Sequence, residues 1–181
     1  TGTQFLRWDD AASTPIEDVR QMKQDVQKLG NRRPNIMVLS RPVFDKLLDH
    51  PDIVGRLDRG QTTGPAIVAR DALAALFELD EVLVSDSIQT TSAEGAAAAT
   101  FDFIGSKHCL LAYRNPNPSL LEPSAGYTFS WAGLQGAGTA GQRIKRFRME
   151  HLESERVEIQ MAYDQKLVSA DMGGFFLDAV S

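Results

Sequence analysis

The last third of the chain carries the clearest alternation of apolar and polar positions. Val157, Ile159, Met161 and Tyr163 fall on one parity, and Glu158 and Gln160 on the other. This is the period of a strand with one buried face. Phe147 and Met149 repeat the alternation upstream, among Arg146, Arg148 and Glu150. Strands so long and so charged on one side predict an antiparallel sheet, packed on one face and open on the other to water or a neighbouring chain.

Earlier positions follow shorter periods. Thr14-Pro15-Ile16-Glu17 reads as a capping box with proline at the first helical position. Ile16, Val19, Met22, Val26 and Leu29 then line one helical face, which Gly30 closes. Residues 35–39 form an apolar run of strand length, predicted to lie centrally and to be covered on both faces. Ser40 is placed to cap a second helix, with Pro42 in its first turn, Phe44, Leu47 and Leu48 facing inward, and Pro51 as its stop. A weak helical turn over 52–59 leads to a loop at 60–65, then to helical spacing over 66–79 and a short buried strand over 82–84. Residues 90–100 are small and polar and read as a surface loop. Residues 101–104 and 109–113 read as strands joined in a hairpin through 105–107, and Asn115-Pro116-Asn117-Pro118 as a loop. Helices interleaved with short strands, followed by long antiparallel ones, give an α+β chain without internal repeat or interdomain linker.

Composition narrows the function classes. At 181 residues the chain can build one sizeable core or two small lobes. An apolar share of 43% and a charged share of 24% describe an ordinary globular mixture. The net charge of -5 gives no support for wrapping nucleic acid with the whole surface. Cys109 is the only cysteine, so no intrachain disulfide forms, which fits synthesis in a reducing compartment. No apolar run approaches the ~20 residues of a membrane span, and no signal-peptide pattern is present in this sequence.

Candidate chemistry is sparse. Gly136-Ala137-Gly138-Thr139-Ala140-Gly141 matches the dinucleotide fingerprint letter for letter. The fingerprint needs a helix starting within it and a βαβ unit beyond, and the run that follows leans toward strand. A flexible connection is the better reading. His50, His108 and His151 share no metal-like spacing, and Cys109 beside His108 points to the opposite face of a strand. His50 is placed at a helix end, where its ring meets the last carbonyls. No G-x-S-x-G elbow occurs. Neither catalytic residues, nor a metal, nor a cofactor is predicted. Arg143, Lys145, Arg146 and Arg148 form the one basic cluster, and Glu150, Glu153, Glu155 and Glu158 follow at once. Two readings stand together: solvated strands whose opposite charges meet across the pair, and a lateral contact between copies whose complementarity sets register. Packaged DNA is a weaker third, since only Phe147 stands in the cluster for base stacking.

Ala125-Gly126-Tyr127-Thr128-Phe129-Ser130-Trp131, Arg156-Val157-Glu158-Ile159 running into Ala162-Tyr163-Asp164, and the Gly-Gly-Phe-Phe ending resemble a tailed-bacteriophage major capsid protein of the Hong Kong 97-like type, as found in prophages. Residues 33–40 and 47–53 fit the same pattern, so the resemblance covers the chain from about Asp9 onward. The resemblance implies an α+β fold with an axial lobe over 10–141, a mixed sheet flanked by helices. Residues 1–9 and 142–181 would belong to an elongated antiparallel peripheral domain. The N-terminal arm, the extended loop and the spine helix of such proteins have no counterpart here, and the opening at Thr1 reads as a start inside an element.

By the same resemblance the protein is a shell subunit rather than an enzyme, assembling with copies of itself into pentamers and hexamers. Scaffold, protease and portal proteins are implied partners, DNA is enclosed without sequence-specific binding, and no membrane is involved. The implied location is the virion, with assembly in the host cytoplasm. The candidate contacts are Gly60, Thr62 and Gly64, Glu94, Gly136 and Gly138, together with Arg143, Arg146, Arg148, Glu153 and Glu155. A nanocompartment shell of the same fold and an α+β enzyme are the alternatives, the enzyme requiring a pocket of clustered, perturbed ionisable groups.

Overall fold

A computed structural model describes residues 5–58, 70–119, 121–131, 133 and 142–181. In chain order these form α1 (Pro15–Gly30), β1 (Ile36–Ser40), α2 (Arg41–Leu48), α3 (Pro51–Asp58), α4 (Arg70–Phe77), β2 (Glu81–Ser85), β3 (Ile88–Thr90), β4 (Phe101–Phe103), β5 (Cys109–Ala112) and β6 (Gly126–Ser130). There follow β7 (Gln142–Met149), a 3-10 turn (Glu150–Leu152), β8 (Ser154–Met161), β9 (Tyr163–Leu167), a second 3-10 turn (Ala170–Met172) and β10 (Gly173–Phe176).

A four-stranded mixed sheet in the order β10-β5-β1-β2 organises the chain. β1 pairs β2 in parallel and β5 antiparallel, and β5 pairs β10 antiparallel. Met37, Leu39, Cys109, Leu111 and Phe176 alternate onto one face and are buried beneath the helices with Trp8, Val19, Val43, Leu47, Ile53 and Leu73. Chain ends meet in this core. Trp8 N–H donates to the Ala179 carbonyl at 2.7 Å, and Phe5, Trp8 and Phe176 pack ring against ring.

Helix α1 lies across β10 as its pattern requires, with three departures. Thr14 occupies the N-cap without a side-chain cap bond, and its carbonyl accepts from the amides of Glu17 and Asp18 instead. The helix ends on Asn31 in the left-handed conformation (φ 50°), a geometry that asparagine tolerates. Gly30 serves a different need, since a Cβ there would stand 2.8 Å from the Asp171 carbonyl oxygen. Leu29 is exposed, and Lys23 takes a buried place on the helix. The glycine pair before β10's aromatics has a similar cause: Met22 lies so close over Gly174 that a side chain there would displace it.

Four further expectations change. The strands over 101–103 and 109–112 do not pair with each other; β4 pairs β3, enclosing the exposed 91–100 loop, and β5 enters the main sheet. β2 is an edge strand with Leu83 38% exposed, rather than a buried one. Ser40 precedes α2 without capping it, and its buried Oγ has no hydrogen-bond partner among the described residues. His50 caps the start of α3, its Nδ1 accepting from the Asp52 amide at 3.2 Å. The helix over 66–79 is described from Arg70 onward.

Between β5 and β10 the chain leaves this lobe and returns. β6 pairs β9, β7 pairs β8, and the Trp131 amide donates to the Ala162 carbonyl at 3.1 Å, so the two pairs form one interrupted hairpin. Its base is tied to the lobe through Ala125, whose amide reaches Tyr113 and whose carbonyl accepts from Val168 and Ser169. A boundary at 141/142 therefore does not match the packing. Trp8, Phe176, Ala179 and Val180 share the core of α1–α4, while the departing segment is the hairpin from β6 to β9.

Candidate functional site

The β7–β8 ribbon is the most distinctive surface of the chain. Each strand runs for eight residues, Gln142–Met149 against Ser154–Met161, closed by the 3-10 turn and by Glu153 in the left-handed conformation (φ 46°). β7 and β8 touch each other extensively, and no other described element to a comparable extent. The register assigns the side chains to faces, because directly opposed residues of an antiparallel pair share one. Ile144 opposes Ile159, Arg146 opposes Val157 and Arg148 opposes Glu155 on one face; Lys145 opposes Glu158 and Phe147 opposes Arg156 on the other.

Neither face is packed against another described element. Ile144 is 68% exposed, Val157 53%, Ile159 73% and Met161 56%. The expectation of one buried face is therefore corrected: the apolar alternation is real, but nothing described in this chain covers it. Phe147 and Met149 also belong to the face opposite Val157, Ile159 and Met161. Tyr163 begins β9, a separate strand paired with β6.

Charge is segregated across the ribbon. β7 holds Arg143, Lys145, Arg146 and Arg148 and no acid, whereas Glu150, Glu153, Glu155 and Glu158 occupy the turn and β8, where Arg156 is the one cation of the strand. Part of this charge is used internally. Arg156 pairs with Glu158 at 2.8 Å and lies over the Phe147 ring at 5.8 Å, and Arg143 donates to the Gln160 side chain at 2.9 Å. Among the described residues, Lys145, Arg146, Arg148, Glu150, Glu153 and Glu155 form no ion pair, and all six are exposed. Arg148 and Glu155 stand directly opposite and still remain apart.

The other candidate contacts are placed as follows. Glu94 sits in the exposed loop between β3 and β4, an element separate from the ribbon. Gly60, Thr62, Gly64, Gly136 and Gly138 lie outside the described residues, as does the fingerprint-like run to which the last two belong. The structure thus brings together Arg143, Arg146, Arg148, Glu153 and Glu155 and adds Lys145, Glu150 and the Arg156–Phe147 contact.

Two apolar surfaces escaped the sequence pattern. On the open face of the main sheet, Phe175, Leu110, Val38 and Leu83 form one continuous row across all four strands. At the hairpin base, Pro118, Leu121, Pro123, Tyr127, Phe129 and Val168 line a groove of about 560 Å³. Alternation marks each residue as strand-like, but rows across strands depend on register, which no local pattern contains.

Catalytic features are weak by comparison. No group of three or more His, Cys, Asp and Glu among the described residues could hold a metal. Cys109 is buried, and desolvation pushes its thiol well above the ordinary range, the reverse of an activated nucleophile. His108 accepts from the Asp178 amide at 3.1 Å and packs against Phe175, a structural role at the sheet edge. No described helix is long and apolar enough to cross a membrane.

Comparison with known proteins connects the lobe to a family. The family described as phage major capsid protein E matches residues 6–106, more than half of the chain and most of the α/β lobe. The chain belongs to that phage major capsid protein family. The major capsid protein of Burkholderia phage BcepMu is 26% identical over 172 residues, covering 90% of this chain and 50% of that protein. A crystal structure of a phage-related protein from Bordetella bronchiseptica RB50 superposes with a TM-score of 0.78 at 25% identity, covering 96% of this chain and 54% of that one. The chain thus spans about half the length of these relatives. Family membership is carried by residues 6–106, which make up most of the lobe.

Proposed function

We propose that this chain is the lobe and ribbon of a structural subunit of an icosahedral phage shell, acting through its shape and its contacts with copies of itself rather than through catalysis. The observation that carries this reading is the family match over 6–106. A two-part build supports it, with a compact α+β lobe and a projecting ribbon on which Ile144, Val157 and Ile159 stay exposed and Arg146, Arg148 and Glu155 form no ion pair among the described residues. The mixed sheet flanked by helices, together with the long antiparallel hairpin, agrees with a Hong Kong 97-like architecture. In it the lobe built from 5–119 and 170–181 takes the axial position, and the hairpin from β6 to β9 the peripheral one. The contacts are assigned to the ribbon, to the 91–100 loop with Glu94, and to the segments holding Gly60, Thr62, Gly64, Gly136 and Gly138. The protein then resides in the virion and encloses DNA without reading its sequence, after assembly in the host cytoplasm with scaffold, protease and portal proteins.

The experiment is electron microscopy of sedimented material from cells expressing the complete gene that carries this sequence. Closed shells of uniform diameter are expected. Small soluble particles at every salt and pH condition would overturn the reading.

A further inference from the structure

We infer that the ribbon is a charge-coded contact between copies of this chain, in which the basic strand β7 of one copy sits against the acidic turn and β8 start of another. The inference rests on the shell reading and adds which strand of one copy meets which segment of the next. Five charges carry it, with Lys145 as a sixth on the opposite face of β7. Lys145, Arg146 and Arg148 lie on β7, and Glu150, Glu153 and Glu155 lie on the turn and the start of β8; all are exposed and unpaired within the chain among the described residues.

Folding alone does not account for this arrangement. A ribbon built only to be solvated would mix the two signs along both strands, or close the opposed Arg148–Glu155 pair for a few tenths of a kcal/mol. Here Arg146 and Arg148 share one face with Glu155, next to the turn that carries Glu150 and Glu153, while Lys145 lies on the other face. A surface with both signs segregated side by side is complementary to a second copy of itself. Uniform polyanions fit it poorly, because the glutamates would repel the phosphates that the arginines attract. Copies brought together by such a surface select register and reject mismatched neighbours, since a displaced contact sets like charges against each other. Each pair is worth little alone, so the contact is weak, reversible and sensitive to salt.

The test is sedimentation velocity of the 181-residue chain and two charge-reversed variants, R146E/R148E and E153R/E155R. Self-association of the unaltered chain at low salt, lost at high salt, is expected. Each variant should associate on the order of tenfold more weakly. An equimolar mixture of the two should recover the association, because every contact between unlike variants is again complementary. An unaltered chain that stays monomeric at low salt overturns the inference, as does a mixture that recovers nothing. If R146E/R148E abolishes retention of DNA while E153R/E155R strengthens it and neither alters self-association, the occupant is nucleic acid and the inference fails. The shell reading is judged separately. Normal shells from a gene carrying R146E/R148E would overturn the contact and leave that reading standing, whereas the absence of shells from the unaltered gene would overturn the reading itself.

Discussion

Lys23 Nζ donates to the carbonyl oxygen of Phe77 at 2.5 Å, and through that bond α1 closes the C-terminal end of α4. The same ammonium reaches the Glu78 carbonyl at 2.9 Å and lies 3.7 Å from the Glu78 carboxylate. A cation there answers both the unpaired carbonyls and the negative end of the helix dipole. Lys23→Ala removes the donor and the buried stem together, and should cost about 2 kcal/mol, chiefly by leaving buried carbonyls unsatisfied. Urea unfolding of the two proteins measures the difference; equal midpoints would show that water replaces the ammonium.

Asp18 ties the N-terminal segment to α1 by accepting from Trp8 Nε1–H at 2.9 Å. Burial raises its pKa above 3.8, and the indole hydrogen bond opposes that rise only in part. The folded state therefore holds more protons than the unfolded one just above pH 3.8. Asp18's contribution is fully present below that value and is lost as pH rises through the folded pKa. Measured against Asp18→Asn, which does not titrate, the unaltered protein should lose relative stability across this window. A difference that stays constant with pH, or changes in the opposite sense, would refute the burial account.

Cys109 is enclosed between β1 and β10 within the main sheet and is held in its thiol form by desolvation. Thiol reagents should leave it untouched in the native protein and label it only at the rate at which the sheet opens. Mass spectrometry of timed labelling reads this directly. Rapid stoichiometric labelling under native conditions would contradict the packing.

The ribbon's apolar residues should contribute almost nothing to the stability of the isolated chain. Ile159→Thr keeps a β-branched side chain at an exposed position and should shift stability by less than about 0.5 kcal/mol. Leu39→Ala, in the closed core, should cost about 2–5 kcal/mol. Thermal melts of both variants test the contrast. A large loss for Ile159→Thr would mean that the ribbon face is packed after all.

Much of the lobe is legible residue by residue. Helix α1 follows from its 3.6-residue apolar period and from Pro15, and β1 from an apolar run of strand length. Legibility fails wherever a partner distant in sequence decides the outcome. Leu29 satisfies the helical period but meets no neighbour, while Lys23 is drawn inside because the open end of α4 needs a donor. β4 and β5 sit close enough to suggest a hairpin, yet each finds a better partner elsewhere. At the candidate site, the clustering of Arg143, Arg146 and Arg148 beside Glu153 and Glu155 is plain in the sequence. Which of these charges remain unpaired is not, because that depends on register and rotamer.

By itself the sequence determined the period of each element, the order of helices and strands, the separation of basic from acidic residues, and the motifs that resemble a phage shell protein. These are local properties, set by backbone sterics and by the spacing of apolar side chains. Only the tertiary structure decided that both chain ends share one core, that the long strands stand out as a ribbon with both faces open, and that Phe147 lies opposite Val157's face. The physical reason is that burial and pairing belong to surfaces. An alternating strand offers an apolar face, and whether anything covers it is settled by what the rest of the molecule brings within reach.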